Sequence, residues 1–396
     1  MTKRKNEASF MLNFIKEICQ EVGPRPYFTE KEAEGANYVK ERFRNYVEDV
    51  QMERFFVKEA PTIFSFKVAV ILYVISTIFY IFVPLISLIL MVFNVIMLLL
   101  EEIWVIKIFN PLFSRQKTQN VIAKVKPIDQ AKKIVIFGSH IDSTYEFPLF
   151  RIFKNKVIII ISLGLLFMFI HIIFSVIKLV LGGFRFIFYN FNVMTIILMV
   201  GIGFVLPFYF MVSNRPVYGA NDNLSAVAVC LNLLRKFSKT PPKNIELWFC
   251  AFGAEETGRV GSSQFVNKHK NEIRNSYTIN LESIGGEGKF HIVKKEITIS
   301  HSEEVIDILQ TAANNISHPM DLYSIPISGG TDSWSFSKKG LKATSIICQS
   351  DTLIPEGWHT REDTPDIIDK EHLKIISDVC SEFIRLIDDK DWKETS

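Results

Sequence analysis

Charge of one sign is what this chain lacks. Its formal net charge is +3 over 396 residues, and no basic stripe with interleaved aromatics runs through it, so no nucleic acid or other polyelectrolyte partner is expected. Cysteine is scarce and odd in number: Cys19, Cys230, Cys250, Cys348 and Cys380. Most of these sit in apolar segments, which argues against a disulfide framework or a cysteine-based zinc site and fits buried free thiols in a reducing compartment. An N-terminal apolar core is missing too. The start, Met1 to Glu7, is charged and leads into an amphipathic segment, so no cleavable signal peptide is expected. Internal repeats and low-complexity tracts are absent from the sequence.

Two stretches lack charge almost entirely, and they account for a hydrophobic content of 48% with 34 Phe, too high for an ordinary soluble protein. Residues 63–109 carry only Lys67, Glu101, Glu102 and Lys107 as charges. A bilayer crossing takes roughly 20 apolar residues, so this block accommodates two crossings with a tight turn near Pro84. It is apolar on all faces, unlike the helix of a soluble core. Residues 157–212 fit a second pair, with a looser tip around Gly182, Gly183, Phe184 and Arg185. Two hairpins make four crossings, each pair returning the chain to the side it left. His171 stands alone in the second block and reads as a helix-packing or interfacial residue rather than a ligand.

Outside these blocks the pattern is that of an α/β protein. Helices are expected at 10–22, 30–47, 226–237, 262–270, 303–314 and 370–387, and strands at 50–57, 120–125, 133–139, 247–252, 276–281 and 342–348. Strands alternating with helices imply a helix-covered, mostly parallel sheet.

The chemistry gathers around 247–258. An apolar run of strand length stops at the adjacent carboxylates Glu255 and Glu256, and a glycine-containing turn carries them out of the sheet. Neighbouring residues at a strand end project differently, so one carboxylate can bind a cation while the other faces what that cation has bound. His140 and Glu282 also end expected strands, and Asp222 and His359 sit in polar loops. In such sheets reactive groups collect beyond the carboxyl ends of strands. Histidines and carboxylates without cysteine suit zinc or another borderline divalent ion. The donors exceed one tetrahedral ion, whereas two ions about 3.5 to 4 Å apart, bridged by a carboxylate, use them all.

His140-x-Asp142, Gly219-Ala-Asn-Asp222-Asn, Glu255-Glu256-Thr-Gly-x-x-Gly261-Ser262, Asn280-Leu-Glu282-x-x-Gly285 and His359-Thr-x-x-Asp363-Thr364 resemble, in this order, the motifs of the di-zinc exopeptidases, the relatives of bacterial leucyl aminopeptidase, glutamate carboxypeptidase and glutaminyl cyclase. The resemblance covers the chain except its two apolar blocks. It implies a three-layer α/β/α fold with a mixed, mostly parallel sheet, into which two transmembrane hairpins are inserted. The corresponding boundaries are 1–62, 114–150 and 215–396 for the catalytic domain, with hairpins at 63–113 and 151–214.

Carried over by position, the resemblance gives His140 and Glu282 to a first zinc, Glu256 and His359 to a second, and Asp222 as the bridge. Glu255 becomes the general base and acid acting on a metal-bound hydroxide, and Asp142 the partner that orients the His140 ring. Ser328 to Ser333, with Asp332, is similar to a family segment near the substrate pocket. Two departures stand out. Glu282 replaces the Asp usual in the family, and Trp358 occupies the place where several relatives carry an oxyanion-stabilising Tyr; an indole N–H can still donate one hydrogen bond. Trp before the last histidine also occurs in glutaminyl cyclases.

The expectation is a membrane-integral aminopeptidase with two zinc ions, a peptide substrate and the lipid bilayer as surroundings. Glutaminyl cyclase-like or carboxypeptidase activity is the alternative on the same metal site. A non-catalytic receptor or scaffold would have lost a ligand, and none is missing. Lys58, Lys67, Lys107, Arg115, Lys117, Arg151, Lys154, Lys156 and Arg215 flank the crossings on the catalytic side, against Lys178 and Arg185 toward the tips. The positive-inside rule puts the catalytic domain and both termini in the cytoplasm. Because the second hairpin departs just after His140 and returns just before Asp222, it is expected to bear on substrate access as well as anchoring.

Overall fold

Residues 2–103, 106–182, 193–325 and 329–390 are described by a computed structural model. Gly183, Phe184 and Arg185 of the expected hairpin tip, and Ser328, lie outside the described residues. The chain divides into two compact units, one of 1–57, 115–145 and 215–396, the other of 58–114 and 146–214. The second unit thus begins five residues earlier at each hairpin than the sequence reading draws it, at 58 rather than 63 and at 146 rather than 151, and takes in the short helix Pro148–Phe153.

The first unit is built on one sheet of β1 (Val50–Lys58), β2 (Arg115–Val125), β3 (Lys133–His140), β4 (Ile245–Phe252), β5 (Tyr277–Glu282), β6 (Lys289–Glu296), β7 (Ile299–Ser300), β8 (Asp321–Ile325) and β9 (Lys342–Gln349). Their order is β1-β2-β4-β3-β5-β9-β6-β7, with β8 paired to β6. Strands β4, β3, β5 and β9 run parallel, β2 is antiparallel to β4, and β6 is antiparallel to β9, so the sheet is mixed with a parallel centre.

Strand alternation explains the layers. Val135, Phe137, Leu247, Phe249 and Ile279 face one side, where the helices Thr2–Glu21, Glu30–Arg44, Ser225–Phe237, Glu303–Asn315 and Lys370–Asp388 cover them with Phe14, Val39, Leu231, Leu309 and Phe383. The intervening Ile136, Trp248, Cys250 and Phe252 face the other side, against Phe265 of Val260–His269 and Phe336 of Ser333–Ser337. Period two on the strands therefore yields two buried faces and an α/β/α sandwich. Each such fully buried apolar side chain contributes roughly 1.5–3 kcal/mol. All five cysteines are free and buried, as composition suggested.

The second unit holds the apolar helices. Among the described residues four are long and apolar enough to cross a membrane: Phe64–Phe82, Pro84–Ile103, Pro148–Val180 and Val193–Phe210. Pro84 opens the second of them, where proline costs no intrahelical bond. Ile71, Ile78, Leu85, Ile89, Ile158 and Val200 are exposed, while Tyr73, Met91, Met168 and Phe208 form the unit's interior. His171 is fully buried in that interior, its Nε2 3.0 Å from Ser87 Oγ and 3.3 Å from Ser76 Oγ, a polar tie between helices.

Candidate metal centre and active site

The parallel strands deliver the expected groups to one edge of the sheet. His140 is the last residue of β3 and Glu282 the last of β5, while Glu255 and Glu256 follow β4 by three and four residues. Asp222 lies in the segment Ala220–Leu224 that leads into the helix Ser225–Phe237, with non-helical backbone at Asp222 and Asn223. His359 is in the loop after β9.

These side chains converge into two groups that share Asp222. In the first, His140 Nε2 is 3.2 Å from Asp222 Oδ1 and 3.2 Å from Glu282 Oε1. In the second, His359 Nε2 is 3.3 Å from Asp222 Oδ2 and 2.9 Å from Glu256 Oε2. Each group offers ligand atoms within 4.8 Å of one another. The two oxygens of Asp222 thus serve different groups, as a bridging carboxylate would. Glu255 belongs to neither, although its Oε2 lies 3.9 Å from His140 Nε2. The donor set is imidazole and carboxylate, which fits zinc, and the buried carboxylates outnumber the two histidines, an imbalance that a divalent cation would relieve.

Burial and mutual proximity set the electrostatics. Burial pushes the Glu282 carboxyl up to about 8, with His140 opposing. The Glu255 carboxyl is raised well above the usual carboxylate range, again by burial, with His140 pulling the other way. For Asp222 burial also acts upward, but the hydrogen bonds from His140 and His359 outweigh it and hold the group well below the ordinary range. Asp332 is fully buried, pushed up to about 7 by burial, within electrostatic reach of His140.

The supporting shell is largely carboxylate. Asp142 Oδ1 accepts the Glu255 N–H at 3.0 Å and its Oδ2 the Glu256 N–H at 3.1 Å. The ring of His140 is held by the Asp142 main-chain oxygen, 3.0 Å from Nδ1, and by the Asp142 carboxylate at 3.5 Å. Trp358 lies flat on the His359 ring, centroids 3.8 Å apart at 19°, a contact that uses the face of the indole.

Several supporting residues escaped the sequence reading. Glu32, from the helix Glu30–Arg44, accepts the Ala254 N–H at 2.9 Å, the Thr118 hydroxyl at 2.6 Å and the Phe28 N–H at 2.8 Å. It therefore fixes the amide just before Glu255, and a side chain at Gly253 would collide with it. The legible signal was Thr29-x-x-Glu32, a capping-box pattern, and Thr29 Oγ1 does accept the Glu32 N–H. Asp363, four residues after His359, accepts the Asn221 and Asp222 N–H groups at 2.6 and 3.1 Å. Asn221 and Asn223 tie the same segment to the end of β5 through Gly285, Gly286, Ser283 and Leu281. Arg25, fully buried, donates to the carbonyls of Ile141 and Tyr218 and so links the segments carrying His140 and Asp222.

Fold and site together define an α/β/α protein with paired histidine–carboxylate groups at the carboxyl edge of its sheet. Residues 205–384 match Peptidase family M28. Aminopeptidase YwaD of Bacillus subtilis (strain 168) is 33% identical over 168 residues, 41% of this chain and 36% of that protein, so the chain spans about a third of the relative's length. The fold is shared with BSAP, a zinc aminopeptidase from Bacillus subtilis, at TM-score 0.60 and 17% identity, covering 96% of this chain and 95% of that one. It is shared equally with the glutaminyl cyclase of Bacteroides thetaiotaomicron, at TM-score 0.59 and 15% identity, covering 95% and 97%. The match in sequence is thus to residues 205–384, while the likeness in fold extends over nearly the whole chain.

Proposed function

We propose that this chain is a membrane-integral, two-zinc exopeptidase that removes residues from the amino terminus of peptides. The observation that carries the reading is Asp222, whose two oxygens each face one of two histidine–carboxylate groups. His140 and Glu282 would hold one zinc, Glu256 and His359 the other, with Asp222 between them. Zinc, when bound, supplies the acidity of a coordinated water and polarises the carbonyl.

The chain's own residues do the rest. Glu255 stands outside both groups, and its raised affinity for a proton suits it to take one and pass it to the leaving amine. Asp142 aims it, by holding the Glu255 and Glu256 amides, and also fixes the His140 ring. Trp358 and Asp332 remain candidates for contact with the oxyanion or substrate. A non-catalytic receptor is disfavoured because every expected ligand is present and converges. Glutaminyl cyclase activity is the second reading, favoured by Trp358 beside His359 and by the likeness in fold to a glutaminyl cyclase.

Membrane integration rests on the four apolar helices, 18 to 33 residues long, against the roughly 20 that a bilayer requires. The basic residues flanking them favour a cytoplasmic catalytic unit. The deciding experiment is activity of the purified full chain, with and without a chelator, on peptides with reporters at the amino terminus, at the carboxyl terminus, or with amino-terminal glutamine. Chelator-sensitive release from the amino terminus is expected. Release only from the carboxyl terminus, or cyclisation of glutamine without cleavage, would replace the aminopeptidase reading, and no chelator-sensitive turnover would sink the enzyme.

A further inference from the structure

Three residues beyond Glu256, Arg259 heads the helix Val260–His269 with a left-handed φ of 58°. It is 7% exposed, and its Nε has no hydrogen-bond partner among the described residues. No ion pair engages its guanidinium among them either. A buried cation left in that state is costly unless something absent from the chain completes it. What the guanidinium does touch is the Trp334 ring, with Cζ 4.6 Å from the centroid. A second cation uses the same ring, since Lys338 Nζ is 4.2 Å from the centroid. Lys338 is exposed and likewise has no carboxylate partner among the described residues. Its affinity for a proton is lowered by burial of the ammonium and then by repulsion from Arg259, so the two charges act on one another.

The acids nearby do not answer this pair. Glu296 is committed to His301, 3.1 Å away, and to the Thr331 N–H at 2.9 Å. Asp332, which Arg259 attracts, holds its proton up to about 7 through burial. The backbone at Gly330, φ 155°, packs closely against the guanidinium, where a side chain would run into Arg259 Nη1. The positive end of the helix headed by Arg259 lies in the same region. Asp332 is also within electrostatic reach of His140, Glu255 and Glu282, so this cationic spot adjoins the candidate active site.

We propose that Arg259 and Lys338, on the platform of Trp334, bind a carboxylate carried by the peptide substrate. Guanidinium is the side chain best matched to a carboxylate, through a planar two-bond fork, and Lys338 adds a point charge beside it. The carboxylate can be a short peptide's own carboxyl terminus or an acidic side chain. This rests on the exopeptidase reading for the nature of the ligand, and it makes short or acidic peptides the favoured substrates.

The test is equilibrium binding to the detergent-solubilised full chain carrying Glu255→Gln to stop turnover. Two peptide pairs are compared: trialanine against its C-terminal amide, and Ala-Ala-Asp amide against Ala-Ala-Asn amide. The acid member of at least one pair should bind about tenfold tighter, a difference of about 1.4 kcal/mol. Arg259→Leu should erase that preference and Lys338→Ala should reduce it roughly threefold. Whichever pair shows the effect identifies the source of the carboxylate. Lys338 is exposed, so its variant decides the matter even if Arg259→Leu does not fold. An acid-to-amide ratio near one in the parent, or a preference untouched by Lys338→Ala, would overturn the site. A carboxylate preference that Arg259 carries, in a protein whose Glu255 form cleaves no peptide, would keep the site and remove the peptidase.

Discussion

Exchanging Glu255 and Glu256 for glutamine, one at a time, separates proton transfer from ligation at adjacent positions. Glu255 is in neither ligand group and approaches His140 only to 3.9 Å, whereas Glu256 Oε2 is 2.9 Å from His359 Nε2 within the second group. A glutamine at 255 preserves size and leaves the Asp142 bond to its amide, because that bond is made by the backbone. What disappears is a group able to take a proton. General acid–base catalysis is worth about 10²–10⁴ in rate, or roughly 2.7–5.4 kcal/mol of barrier at 1.36 kcal/mol per decade. Glu255→Gln should therefore lose at least 10²-fold in kcat with two zinc ions retained. Glu256→Gln should lose the second ion, because His359 and Asp222 remain as its only carriers. Initial rates and zinc content by mass spectrometry on the same preparations give both readouts. If Glu255→Gln loses zinc while Glu256→Gln retains it, the two roles are reversed; if Glu255→Gln keeps its rate, the proton-transfer assignment fails.

Other outcomes follow from the shell around these groups. Asp142→Asn puts an amide donor against one of the Glu255 and Glu256 N–H groups it now accepts, and should weaken zinc affinity or activity about 10- to 100-fold, measured by titration with a competing chelator. Glu32 holds its proton up to about 8 in the fold, by burial with the Asp142 charge adding to the rise, against 4.5 for the free side chain. Between those pH values the folded state binds the extra proton, so the contribution of Glu32 to stability should fall as pH rises from about 4.5 to about 8 and then level off. Denaturant midpoints across that range should fall less steeply with pH in Glu32→Gln, and an unchanged slope would refute the assignment. For orientation, a protease, or a thiol label directed at a cysteine introduced into the carboxyl-terminal tail, applied outside intact cells should not reach that tail; reaction there would reverse the topology.

The central strands, and the convergence of the residues expected as ligands, could be read in advance because their signals are local. A buried parallel strand is a short apolar run, and His140 in β3 and Glu282 in β5 sit where such runs stop. The strands at the far edge were not legible. In β6, Lys289, Lys294 and Lys295 break the apolar alternation, since its outer positions are solvated, and β8 is no more than half-buried along its length. Supporting residues such as Glu32 and Arg25 were hidden for a different reason. Their partners are 222 and 116 residues away in the chain, at Ala254 and Ile141, and nothing in a local pattern encodes such a meeting. Arg259 was overlooked because a charged residue after a turn reads as solvated; only its burial on Trp334 distinguishes it.

Connectivity gives the sheet an order of assembly. Strands β1 and β2 are neighbours, yet the first pair of apolar helices lies between them in the chain. Strands β3 and β4 are neighbours as well, in register from Lys133 with Ile245 to His140 with Phe252, and the second pair lies between those. A ribosome delivering this chain releases His140 long before β4 exists, so its imidazole must wait, unligated, through the synthesis of the second hairpin. Each hairpin, by turning back on itself, shortens the span over which the two strand ends must find each other, and so lowers the entropy lost on closing a long loop. Synthesis of the second pair of apolar helices and sheet formation are thereby linked in time: a chain that halts within that pair has β3 without either of its neighbours, β4 and β5, one of its five expected ligands, and no register partner for Phe137.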